Sequence, residues 1–179
     1  MSDARILLLP GWLNSDPAHW QSRWEALHGD TRVEQDDWEW PKRGDWMARL
    51  EEVILSDARP AVLVGHSLGC QLVAAWAAHS SHTERVRAAL LVAPPDTERE
   101  DMPPQLHGWR PIVRQRLPFR ATAVVSSDDP YCKPERASEM VADWGASLVQ
   151  IGPRGHINAD SGLGDWPEGR QLLDALLAS

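Results

Sequence analysis

The stretch AVLVGHSLGCQLVAAW, residues 61–76, joins two different patterns at a single serine. Ala61 to Val64 are apolar without alternation, as in a strand covered on both faces. From Leu68 onward, Leu68, Leu72, Val73 and Trp76 recur at helical spacing. Ser67 therefore sits at the corner between a buried strand and a helix, with Gly65 and Gly69 flanking it. A sharp strand-to-helix turn lifts a serine hydroxyl above the sheet, and glycines on either side remove side chains that would strike the neighbouring strand and helix. The turn also leaves the Leu68 N–H free at the start of a helix, where the peptide dipoles favour negative charge. Gly-x-Ser-x-Gly is a weak signal by itself, and a helix N-cap serine with glycines for packing is the alternative reading. The flanking elements make a nucleophile the stronger reading.

The same alternation of strand and helix patterns runs through the chain. RILLLP reads as a first strand, and Pro17 to Leu27 as a helix capped by Asp16. TRVEQD is a weaker strand, and Asp45 to Ser56 a helix. After the quoted stretch come strand VRAALLVAP, strand ATAVVSS, helix PERASEMVADW, strand SLVQIG and helix WPEGRQLLDALLA. Six strands alternating with helices predict an α/β fold, a mostly parallel sheet covered on both sides. No linker divides residues 1–179, which are read as one domain. Pro94 to Pro118 is long for a connection and reads either as a flap beside the site or as a surface excursion.

A serine hydroxyl needs a base, and the base needs an orienting carboxylate. On such a sheet both follow the serine, in the order acid then histidine, at the ends of later strands. ATAVVSSDDPY ends its strand in Asp128 and Asp129, and SLVQIGPRGHINADSG ends the next in a loop carrying His156. His156 is the preferred base among the seven histidines. Asp129 is favoured over Asp128 because Pro130 biases it towards extended backbone; Asp128 would then brace the loop. His66 reads as packing, since successive residues in the turn point apart. His79 and His82 read as solvated, with nothing completing a metal set. An oxyanion site needs a second N–H beside Leu68. Gly11 lets the backbone leaving the first strand approach closely, which makes the Trp12 amide the candidate, with Leu13 behind it.

Composition bounds the alternatives. The chain has 179 residues, with 42% hydrophobic and 25% charged, the proportions of an ordinary globular protein. A net charge of −8 with no basic stripe speaks against nucleic acid and anionic membranes as partners. The apolar run at the N-terminus is too short for a membrane span and is broken by Pro10 and Gly11, so neither a span nor a secretory signal is expected. Cys70 and Cys132 suggest no disulfide framework, and a reduced, cytoplasmic protein is expected. No cofactor or metal is called for. A nucleotide-binding reading fails on PGWLNSDP, which is a poor phosphate-cradling loop. Of ten tryptophans, Trp20, Trp24 and Trp76 fall at core positions, while Trp12, Trp38, Trp40 and Trp109 lie in loops as candidate pocket walls.

LPGW with HWQSRWE, GHSLGC, SSDDPY and GHINADSGLGDWPEG together resemble the small α/β-hydrolase-fold serine hydrolases of the retinoblastoma-binding protein 9 and YdeN group, over nearly the whole chain. The resemblance implies a sheet ordered 2-1-3-4-5-6 without a large lid, and a triad of Ser67, Asp129 and His156. It implies a serine hydrolase acting on small esters or related acyl compounds. The rival expectation is a non-catalytic protein-interaction module on the same fold. Oligomeric state is left open.

Overall fold

Apolar runs with no polar face can only be buried between two layers, and the computed structural model, which describes residues 3–179, resolves them that way. The strands are β1 (Arg5–Leu9), β2 (Thr31–Arg32), β3 (Ala61–His66), β4 (Val86–Val92), β5 (Arg120–Val125) and β6 (Ser147–Gln150). They form one six-stranded sheet in the order β2-β1-β3-β4-β5-β6, every adjacent pair parallel. The helices are α1 (Trp20–His28), α2 (Arg43–Leu55), α3 (Leu68–His79), α4 (Pro134–Trp144) and α5 (Pro167–Ala178).

Alternate residues of β1, β3, β4 and β5 feed two cores. Leu7, Leu9, Leu63, Leu91 and Ala123 face α2, α3 and α4 through Trp46, Trp76 and Trp144. Leu8, Val62, Val64, Leu90 and Val124 face α1 and α5 through Trp20, Trp24 and Leu173. β3 and β4 are wholly buried apart from Arg87, whereas β6 is an exposed edge. Among the described residues, no helix is long and apolar enough to cross a membrane.

The connections from β1 and β3 run to opposite sides of the sheet, so a crevice opens between their C-terminal ends, at the switch point where such sheets hold ligands. In register, Leu9 of β1 pairs with Gly65 of β3, and His66 pairs with Val92 of β4. The loop after β1 and the turn after β3 thus leave the sheet side by side.

Three local readings need correction. α1 starts at Trp20 rather than Pro17: the Asp16 carboxylate accepts the N–H groups of Ala18 and His19, closing a separate turn, and His19 Nδ1 caps the helix by accepting Gln21 N–H. α2 begins two residues early, at Arg43. The segment from Pro94 to Pro118 lies beside the cleft, which Pro95, Met102 and Leu106 line, and it is packed down rather than a surface excursion. A short 3-10 helix, Pro104–Trp109, sinks Leu106 and Trp109 into the core, where the Trp109 indole donates to Pro41 O at 2.9 Å. Trp109 is therefore core and not pocket wall. Its loop position concealed a side chain that fills space above α2, edge-on to Trp46.

Candidate active site

The backbone geometry of Ser67 follows from the glycines around it. Ser67 has φ 55° and ψ −122°, a conformation few L-residues adopt, and it persists because both neighbours clamp it. A Cβ on Gly69 would stand 2.1 Å from Leu9 O, and one on Gly65 would stand 2.9 Å from Gly69 C and O. Only hydrogen atoms at these two positions let α3 sit this close to β1 and β3. The turn is completed by Ser67 N–H donating to Val92 O at 2.8 Å.

Three side chains from separate strand ends meet above the turn. His156 Nε2 lies 2.7 Å from Ser67 Oγ, and His156 Nδ1 lies 3.0 Å from each Asp129 carboxylate oxygen. The Asp129 side chain is 4% exposed and that of His156 10%, so the pair is screened from water while the far imidazole edge opens to the cleft. Asp129 Oδ1 also accepts Tyr131 N–H at 2.9 Å, which fixes the carboxylate, and the Tyr131 ring packs edge-on to His156.

Asp128 faces elsewhere. Its Oδ1 accepts Gly155 N–H at 2.8 Å and the Ser126 hydroxyl at 2.9 Å, and these two bonds hold its carboxyl below the usual range. It ties the end of β5 to the loop that carries His156.

The loop after β1 supplies the opposite wall. A Cβ on Gly11 would fall 2.9 Å from Ser67 Cβ and 3.2 Å from Leu68 N, so the chain passes directly over the turn. Leu68 is the first residue of α3, where no helical carbonyl precedes its N–H. Leu13 N–H is committed to Trp38 O at 3.1 Å, which leaves Trp12 as the adjoining amide. The cleft, about 220 Å³, has Trp12, Met102 and Leu106 among its apolar liners, and Asn14, Asp16, Asn158 and Asp160 among its polar ones. Trp38 packs edge-on against Trp46, and Trp40 is 51% exposed.

Two histidines carry more than sequence reasoning assigned. His66 is buried, with Nε2 2.9 Å from His156 O and Nδ1 3.3 Å from His19 Nε2. The signal was in the sequence, since His66 adjoins Ser67 and His19 opens HWQ, but nothing local showed that the two rings meet. His82 is not simply solvated: it pairs with Glu51 at 2.6 Å, and His79 Nδ1 bonds Ala75 O. Cys70 and Cys132 are free and buried; burial pushes the Cys70 thiol far above its ordinary range and the Cys132 thiol up to about 12.

Residues 6–175 match the family model for serine hydrolases. The chain belongs to the serine hydrolase family. This serine hydrolase is similar over 97% of its length, and over 90% of the other chain, to a YdeN-like hydrolase from Pectobacterium atrosepticum, at 27% identity and TM-score 0.85. The ydeN product of Bacillus subtilis shares its fold, with TM-score 0.74, 17% identity and coverage of 98% of this chain and 100% of the other. So does an enol-lactonase from Burkholderia xenovorans, with TM-score 0.66, 14% identity and coverage of 99% and 93%. No curated protein matches the sequence. The expected α/β-hydrolase sheet and the YdeN side of the expected resemblance hold, and the protein is an esterase-like hydrolase.

Proposed function

We propose that this serine hydrolase cleaves small carboxylic esters through an acyl-enzyme formed on Ser67. His156 Nε2 takes the hydroxyl proton as Ser67 Oγ adds to the ester carbonyl, and Asp129 holds Nδ1–H and stabilises the imidazolium that results. The N–H groups of Leu68 and Trp12 receive the charge that develops on the carbonyl oxygen. The carbon–oxygen bond to the alcohol then breaks, and His156 returns its proton to the departing oxygen. Water repeats the sequence: it gives a proton to His156, adds to the acyl carbon, and Ser67 leaves with that proton as the acid is released.

The observation that carries this reading is the position of one imidazole, 2.7 Å from Ser67 Oγ and 3.0 Å from the Asp129 carboxylate. A cleft of about 220 Å³ favours short acyl groups, since pockets for drug-sized ligands run from about 300 Å³ upward. Turnover of p-nitrophenyl acetate and labelling by a fluorophosphonate test the reading together. Wild-type protein is expected to do both, and Ser67→Ala to lose labelling and about 10⁶ in kcat. Equal turnover by the Ala variant, free of contaminants, would refute it; an unlabelled wild type would favour the interaction module.

A further inference from the structure

Hydrogen-bond directions around His66 admit one arrangement of protons. The carbonyl oxygen of His156 only accepts, so His66 Nε2, 2.9 Å away, carries its ring hydrogen. Gln21 N–H donates to His19 Nδ1 at 3.0 Å, so the His19 hydrogen is on Nε2. That hydrogen points at His66 Nδ1, 3.3 Å away, which in this tautomer offers a lone pair. Reversing either ring sets lone pair against lone pair or N–H against N–H. His19 is 4% exposed and His66 5%, so water does not compensate a mismatch.

This chain of bonds joins the parts whose separation defines the site. His66 adjoins Ser67 in sequence and grips the backbone of His156 through its ring. The backbone there needs an external hold: Gly155 has φ 59° and Ile157 has φ 51°, a strained value for a β-branched residue. Ile157 O in turn accepts the Trp20 indole N–H at 2.8 Å, so the carbonyls of residues 156 and 157 are both tied down. Burial and the neighbouring histidines keep His66 neutral, so no second positive charge opposes the imidazolium of His156, whose ring centre is 4.9 Å from that of His66.

We propose that His19 and His66 are positioning residues, a tautomer-locked brace that sets His156 at bonding distance from Ser67. The proposal rests on the hydrolase reading above. Three variants test it. His66→Leu removes both bonds; His66→Gln keeps a donor for His156 O and an acceptor for His19; His19→Asn keeps the helix cap but loses the donor to His66. With p-nitrophenyl acetate, His66→Leu is expected to lower kcat by about 10² with KM within about twofold, as for a small misplacement of a reacting group. His66→Gln should recover most of that loss, and His19→Asn should fall between the two. Nitrogen-15 NMR of the wild type should show both rings as the Nε2–H tautomer, a readout independent of turnover that stands even if His66→Leu does not fold. Equal kcat for His66→Leu and His66→Gln, or an Nδ1–H tautomer at His66, would overturn the brace. An unlabelled wild type with the expected tautomers would overturn the hydrolase reading instead.

Discussion

Both carboxylate oxygens of Asp129 stand 3.0 Å from His156 Nδ1, while Asp128, its neighbour in sequence, bonds the Gly155 N–H of the same loop. One aspartate addresses the ring and the other the backbone beneath it. Asp129→Asn is therefore expected to cost about 10⁴ in kcat, because an amide at that place favours the wrong imidazole tautomer. Asp128→Asn should cost about tenfold or less in kcat and lower the urea midpoint, since Gly155 N–H and the Ser126 hydroxyl lose their charged acceptor. Steady-state kinetics and urea unfolding of the two variants check the division.

Glycine at 69 is dictated by backbone contact and glycine at 44 is not. A Cβ on Gly69 would enter the Leu9 carbonyl, whereas a Cβ on Gly44 in α2 meets nothing within 4 Å. Gly69→Ala should destabilise by about 3 kcal/mol or more, since neither backbone can yield cheaply. Gly44→Ala should stabilise by about 0.5 kcal/mol by restricting the unfolded chain. Opposite shifts of the urea midpoint are the expected result.

Acid should weaken the fold before carboxylates titrate. Burial lowers the pKa of His19 to about 4 from an ordinary 6.5, and burial lowers that of His66 as well. Between those values the unfolded chain binds more protons than the folded one, so stability falls as pH falls from 6.5 towards 4. His19 accounts for a loss on the order of 3 kcal/mol across that window. Unfolding free energies at pH 7, 5.5 and 4.5 should show the decline, with a shallower slope in His19→Asn.

The cleft should discriminate by charge. Asp16 and Asp160 lie along it, and no Lys or Arg does among the described residues; Arg154 lines the adjoining hollow. Two exposed carboxylates at several ångströms give about fivefold in kcat/KM between a neutral ester and a monoanionic one of equal size. Raising the salt to about 0.5 M should shrink that ratio, because exposed charges are screened. Asp16→Asn with Asp160→Asn should abolish it, and an unchanged ratio would count against the effect.

The central sheet was legible because burial on both faces leaves a plain trace, as in AVLVG and AALLV, and because glycines at 65 and 69 announce the turn. His156 and the two aspartates were legible because strand ends are where such a sheet gathers its polar groups. What escaped notice depended on contacts distant in sequence. Asp16 has the chemistry of a helix cap, but its carboxylate satisfies a tighter turn one step earlier. Trp109 sits in a proline-rich connection whose burial is set by α2 and Pro41, far away in sequence. His66 shows no periodicity at all; its partners come from the cap before the first helix and from the last loop. Local pattern reports which face is covered, and it is silent on which distant side chain does the covering.

The connection between β4 and β5 is anchored by Leu106, Trp109, Ile112 and Leu117, so one bank of the cleft is a fixed wall rather than a hinged cover. A hinged cover that opened only against an aggregated substrate surface would make the rate jump when the substrate gathers into droplets or micelles. With its bank already in place, this protein should meet dissolved molecules one at a time, and its rate should follow monomer concentration smoothly through the point where an ester begins to aggregate.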